Sequence, residues 1–342
     1  MNSRLCVLSL SLKELEDLFQ SAGYPAYRAR QVFAGVYRKG KTDFMNFTEL
    51  PLELRKRLSE EWVIYPLQVE KALSSVDGTT KYLFKLQDGN FVETVLIPAG
   101  DRKTACLSTQ VGCKYRCAFC ASGLSGFKRN LTTGEIIGQI LALKYGQGQA
   151  LTNLVFMGMG EPLDNLENVI KAIRILNDKQ GLAFGARRIT VSTAGHIPGI
   201  RELKNFDLQI NLSISIHSPY DSQRSTLMPI NRKYPLEELL AAAEDYLKMG
   251  GRQLTLEYVL IKNLNDGLYE AEGLAAIARR LRAKVNLIAY SPVPNLPFER
   301  PGSKELAQFR KWLEERGIRV TVRQSKGIDI AAACGQLAGK FR

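Results

Sequence analysis

Three of the chain's six cysteines stand within the single stretch CKYRCAFC, spaced Cys113-x3-Cys117-x2-Cys120. Thiolates at this density are ligands for zinc or for an iron–sulfur cluster. An odd number of cysteines, with no comparable group nearby, fits no disulfide framework of a secreted domain. A structural zinc site takes four ligands, usually from two paired clusters, yet the chain has two histidines, His196 and His217, and neither is close in sequence. Three thiolates on a four-iron cluster leave one iron open to another ligand. On the residues alone, a cluster, zinc and chance all remain open.

Other segments gain meaning only in company. FMGMGEP runs from Phe156 to Pro162, VSTAG from Val191 to Gly195 and SIHSP from Ser215 to Pro219. Each ends an apolar run, so Gly160, Glu161, Ser192, Ser215, Ile216 and His217 fall where strands give way to loops. Taken singly, a Gly-rich stretch is a turn, and His217 is a helix-cap or core histidine. Cys106 precedes Cys113 by seven positions, and Cys334 sits in GIDIAAACGQL near the C-terminus. A free cysteine is commonly a small buried hydrophobe. Glu93, in VETVLIP, would by itself be a surface carboxylate on a hairpin. Cys6 reads as structural, and Phe119 packs either in the core or near a ligand.

The elements that must hold these residues fall into four segments over 342 residues. Residues 1–65 read as a small helical accessory domain: LKELEDLFQSAG carries Leu12, Leu15, Leu18 and Phe19 at helical spacing, YRARQVFAGVYRKG repeats the pattern, and Pro51 opens a third helix. Residues 66–100 alternate and contain Asp77-Gly78 and Asp88-Gly89, a strong hairpin signal; this β-hairpin linker carries Glu93. From 101 to 295, apolar β-branched runs (TACLST, NLVFMG, RITVST, INLSIS, LTLEYVL, KVNLIAY) alternate with helical stretches, and Thr132-x-x-Glu135 is a candidate capping box. Strand–helix alternation implies a parallel sheet. About six such units imply an α/β partial barrel, with function at the carboxyl ends of the strands. Residues 296–342 form a C-terminal extension carrying Cys334. No run approaches the roughly 18 apolar residues of a transmembrane helix, and no signal peptide is read, so a reducing cytoplasmic setting is expected. The net charge of +13 suggests a polyanionic partner, nucleic acid being the usual one. Residues 300–342 hold ten Lys or Arg against four Asp or Glu, which makes Arg310, Lys311, Arg316 and Arg319 candidates for an RNA grip.

The Cx3Cx2C spacing after the first barrel strand is the signature of the radical S-adenosylmethionine (SAM) superfamily, whose fold is a partial (β/α)6 barrel. The whole chain resembles the RlmN/Cfr family of RNA adenine methyltransferases, through VETVLIP, CLSTQVGCKYRCAFC, FMGMGEP, ITVSTAG, SIHSP, LMPIN and AAACGQL in that order. The resemblance implies a [4Fe–4S] cluster on Cys113, Cys117 and Cys120. It implies SAM contacts from Gly160, Glu161, Ser192, Ser215, Ile216, His217 and Ser291. Two SAM molecules serve each turnover: the first methylates Cys334, and the second yields a 5′-deoxyadenosyl radical that takes hydrogen from that methyl group. The methylene radical adds to adenine, Glu93 is the proton acceptor, and Cys106 resolves the adduct through a transient disulfide with Cys334 that an external reductant resets. The implied targets are carbon-2 of an adenosine in 23S rRNA and of the adenosine 3′ of the anticodon in tRNAs. An electron donor such as flavodoxin or ferredoxin with its reductase is implied, and a monomer is expected.

Two departures stand out. Ser291 replaces an asparagine common in the family, and Ala331 replaces the second acidic residue of D-I-D-A-A-C. Carbon-8 methylation is the nearest rival: Pro162 favours carbon-2, whereas SIHSPY and GIDI look more like the carbon-8 enzymes. A non-enzymatic zinc- or RNA-binding protein is the alternative from another class.

Overall fold

The computed structural model describes residues 4–64 and 67–339. The expected boundary between helical and β segments at 65/66 lies outside the described residues. The first three helices are α1 (Leu12–Ser21), α2 (Ala26–Tyr37) and α3 (Leu52–Glu61). A capping box starts α1: the Ser11 side chain accepts from Glu14 N, and Glu14 accepts from the Ser11 N–H. Short strands β1 (Leu5–Cys6) and β2 (Trp62–Val63) pair in parallel and close the module. Its apolar faces join the same core as the barrel. Tyr145 donates to the Tyr37 carbonyl at 2.7 Å, and Lys171 pairs with Glu14 at 2.7 Å.

The residues expected to be a linker are part of the main sheet. Strands β3 (Gln68–Ser74), β4 (Thr80–Lys85) and β5 (Phe91–Ala99) are antiparallel and turn at the two Asp-Gly pairs. Gly78 and Gly89 take φ of 82° and 78°, a region where only a residue without Cβ is unstrained. β5 then pairs with β6 (Arg102–Cys106), Val95 opposite Cys106.

Beyond β6 come a small ladder of β7 (Gln110–Val111) with β8 (Arg129–Asn130), then β9 (Asn153–Phe156), β10 (Ile189–Thr193), β11 (Asn211–Ser215), β12 (Thr255–Leu260), β13 (Lys284–Ala289) and β14 (Val320–Arg323). The ten-stranded sheet runs β14-β13-β12-β11-β10-β9-β6-β5-β4-β3. The strands from β6 to β14 in this order pair in parallel. With β14 and β3 at its two edges, it is a partial barrel rather than a closed one. The one-turn helix α4 (Ala121–Leu124) follows the cysteine loop and puts Ser122 on the cavity; the other helices are α5 (Thr133–Leu141), α6 (Leu166–Asn177), α7 (Ile197–Leu203), α8 (Asp221–Leu227), α9 (Leu236–Lys248), α10 (Leu268–Arg280) and α11 (Ser303–Glu315). The Thr132/Glu135 capping box forms at the start of α5.

After β14 the chain turns back over the mouth as an extended strap. Hydrogen bonds run from Gly327 N to Asp77 at 2.8 Å, from Ser75 to Asp329 at 2.6 Å, and from Lys81 Nζ to the Ala331 carbonyl at 3.1 Å. Further on, Ala121 N donates to the Gly335 carbonyl at 2.7 Å, and Ser122 donates to the Leu337 carbonyl at 2.6 Å. These bonds bring the C-terminal cysteine over the barrel.

Candidate active site

A cavity of about 700 Å³ fills the barrel, and Cys106, Cys120 and Cys334 all line it. Cys106 ends β6, Cys120 ends the cysteine loop, and Cys334 comes from the strap, so three distant segments meet here. Cys106 and Cys334 lie within electrostatic range of each other, as do Cys120 and Cys334. Burial pushes the Cys106 thiol up to about 12, and Cys334 pushes the same way.

The loop of Cys113, Cys117 and Cys120 packs on the carboxyl ends of the central strands, its own Phe119 meeting Met228 and Tyr290. Burial raises all three thiols, Cys113 to about 12 and Cys117 well above its usual range, and each of these two is raised further by neighbouring cysteines. Arg224, fully buried, is the cation facing Cys117. Three soft donors crowded in a half-buried loop with one facing arginine suit a group that brings its own positive charge. Among the described residues no three His, Cys, Asp or Glu side chains form a ready-made site for a single metal ion.

The remaining candidates ring the carboxyl ends of the strands. Glu161 is buried, and its carboxylate accepts from Leu163 N at 3.1 Å and Ala194 N at 2.7 Å; burial raises it to about 7. Gly160 has φ of 99°, and a Cβ there would meet Gln110 at 2.5 Å. The close approach that this glycine permits is therefore to the chain after β6. Ile216 and His217 follow β11 and are buried. His217 Nδ1 accepts from Val259 N at 3.0 Å, its ring stands edge-on to Phe119 at 4.9 Å, and burial lowers it to about 3. Ser192 and Ser215 are half-buried on β10 and β11, and Ser291 is buried just past β13.

Glu93 is fully buried on β5. Alternation puts it on the face of Ile97 and Ala99, which line the cavity, but Glu93 itself does not line it. The strap intervenes: Ala338 N and Gly339 N donate to Glu93 Oε2 at 2.7 and 3.0 Å, and Lys81 Nζ stands 2.9 Å from Oε1. A buried knot fixes its strand. Ser108 Oγ donates to the Glu93 carbonyl and accepts from Met159 N, while Gln139 bonds both Ser108 and Thr94.

The sequence matches the family model of the radical SAM superfamily over residues 107–272 and that of the ribosomal RNA large subunit methyltransferase N-terminal domain over 6–64. The dual-specificity RNA methyltransferase RlmN of Syntrophus aciditrophicus is 44% identical, over 99% of this chain and 97% of that one. The protein described as the probable dual-specificity RNA methyltransferase RlmN of Thermotoga neapolitana is 46% identical, over 97% and 96%. The chain belongs to the RlmN family of radical SAM methyltransferases. The crystal structure of a radical SAM methyltransferase from Sphaerobacter thermophilus superposes with a TM-score of 0.94 at 45% identity, covering 98% of this chain and all of that one.

Membership in the RlmN family turns attention to groups that the sequence did not single out. Glu257 and Arg323 both line the cavity. A carboxylate in the middle of LTLEYVL, and a cation alternating with valines in VTVR, were the available signals. Of the four residues expected to grip RNA, three carry acidic partners, and Arg319 lies between α11 and β14. Arg310 pairs with Glu314 at 2.8 Å, Lys311 with Glu315 at 3.7 Å and Arg316 with Glu272 at 2.6 Å. Besides Arg323 and Lys326, the cations that line the cavity are Arg102, Arg187, Arg252 and Lys284, at the amino ends of the strands. No described helix is long and apolar enough to cross a membrane.

Proposed function

We propose that this RlmN-family methyltransferase adds a methyl group to adenine carbon-2, in 23S rRNA and 3′ of the anticodon in tRNAs, through an S-methylcysteine on Cys334. The observation that carries the reading is the shared cavity: Cys334 faces Cys106 and Cys120 in a space large enough for a base. Adenine carbon-2 is an electron-poor sp² carbon with no lone pair, so it cannot displace a methyl group from SAM directly. When bound, a [4Fe–4S] cluster supplies the electron that cleaves SAM and starts radical chemistry. Cys113, Cys117 and Cys120 would hold it, and Gly160, Glu161, Ser192, Ser215, Ile216, His217 and Ser291 would surround SAM.

In this reading Cys334 presents its methyl carbon to the base and becomes joined to it. Glu93 takes the ring proton, and Cys106 attacks the Cys334 sulfur to release product. Glu93 can do so only after residues 338–339 leave its carboxylate, so proton removal is coupled to movement of the strap. Access to a paired adenine requires flipping it out of its stack, at a cost of a few kcal/mol. Arg102, Arg187, Arg252 and Lys284, which line the cavity from the amino ends of the strands, can offset that cost by holding phosphates.

Nucleoside mass spectrometry of RNA treated with the reduced, cluster-loaded enzyme tests the reading. The expected product in 23S rRNA and tRNA is 2-methyladenosine; 8-methyladenosine alone would assign the rival specificity. A colourless protein purified without oxygen, lacking iron and sulfide, would remove both.

A further inference from the structure

The cavity holds a charged group to which the methylation reading gives no task. Arg323 ends β14 and shares a face with Thr321, and both line the cavity with Glu257, Met157, Cys106 and Cys334. Its guanidinium hydrogen-bonds the Met157 thioether at 3.6 Å and forms no ion pair with a carboxylate among the described residues. Glu257 stands within electrostatic range, its Oε2 accepting from Asn286 at 2.7 Å. The groups facing Cys106 are Arg323 from β14, Cys334 from the strap and the backbone of Met157 past β9. A cation with most of its donors uncommitted therefore looks onto two thiols.

We propose that Arg323 is the positioning residue of the resolving step, its guanidinium favouring the thiolate of Cys106 as that sulfur attacks Cys334. The inference rests on the assignment of Cys106 as the resolving thiol. In that step the Cys106 thiolate bonds to the Cys334 sulfur, and the bond from that sulfur to the methylene breaks. The electron pair goes to the methylene carbon, which takes a proton from solvent and becomes the product methyl. Carbon is reduced, the two sulfurs end oxidised as a disulfide, and an external dithiol resets them. The thiolate is the nucleophile in such exchanges. Burial opposes it at Cys106, and Arg323 is the group whose charge acts in the other direction.

Alkylation of Cys106 by iodoacetamide, read by peptide mass spectrometry on the reduced, cluster-loaded protein, measures this without RNA. Arg323→Gln should slow Cys106 alkylation near neutral pH about tenfold and move its pH midpoint up by about one unit. Arg323→Lys should restore most of the rate, and Glu257→Gln should shift the midpoint the opposite way. Iron content should match the wild type in all three. Misfolding gives no such opposed pair of shifts. Equal midpoints in wild type and Arg323→Gln would overturn the proposal, as would an unmoved midpoint in Glu257→Gln. Failure of the methylation reading shows elsewhere, as absence of any protein–RNA adduct in Cys106→Ala.

Discussion

Glu93→Gln should unfasten the strap that carries Cys334. The Glu93 carboxylate accepts two backbone N–H bonds, from Ala338 and Gly339, and faces Lys81, which itself reaches the Ala331 carbonyl. One buried ion pair thus holds both ends of residues 331–339. A hydrogen bond to a charged group contributes about 1.5–3 kcal/mol, and a neutral acceptor keeps roughly half of that. Two bonds weakened in this way give a loss of about 1.5–3 kcal/mol before any change at Lys81. That raises the opening constant of the strap roughly ten- to a hundred-and-fifty-fold, at about 1.4 kcal/mol per tenfold. Hydrogen exchange at the Ala338 and Gly339 amides reads this directly, and the Cys334 thiol should alkylate faster in parallel. Amides in α9, on the far side of the barrel, should exchange at the wild-type rate. Unchanged exchange at 338 and 339 would refute the argument that Glu93 is a clasp.

Any one of Cys113→Ala, Cys117→Ala or Cys120→Ala should abolish the visible absorption of the cluster and all RNA methylation; an intact band would contradict the ligand assignment. Cys106→Ala should accumulate RNA crosslinked to protein, seen as a nuclease-sensitive gel shift that the added change Cys334→Ala removes. His217 is held neutral by burial, at about 3 in the fold against an ordinary 6.5, so the unfolded chain takes up a proton that the folded chain refuses. Stability should be full above pH 6.5 and fall by about 1.4 kcal/mol per unit below it, and urea midpoints for His217→Gln should lose that part of the slope. Ala331 has φ of 51°, which costs a residue with a Cβ about 1–2 kcal/mol; Ala331→Gly should raise the thermal midpoint, and a lowered one would show that the methyl group packs.

How much was legible depended on whether a residue's task is local. The helices and hairpins rest on short-range signals: Leu12, Leu15 and Phe19 at helical spacing, Asp-Gly at two turns, Thr132 with Glu135. All of these formed, because each is decided within a few residues. The role of residues 66–100 was not local. Whether β5 is a linker or a sheet strand depends on its pairing with β6, and alternation looks the same in both cases. Glu93 illustrates the difference. Its alternation gives the face, whereas its partners Ala338 and Gly339 lie 245 and 246 residues away, beyond any sequence period.

The α11 cations show where composition misleads. Net positive charge in 300–342 is a sum, and a sum does not say which charges are already answered. At i,i+4 spacing Arg310 meets Glu314, and Lys311 meets Glu315, pairs visible in the sequence once the helix is assigned. Arg102, Arg187, Arg252 and Lys284 come from four separate segments, and only the barrel gathers them round one cavity. Such a ring acts on phosphates by its summed field, so replacing one member should weaken RNA binding modestly and reduce the salt slope by about one or less. Replacing Arg310, Lys311 and Arg316 together should leave that slope unchanged, because Glu314, Glu315 and Glu272 already match their charge.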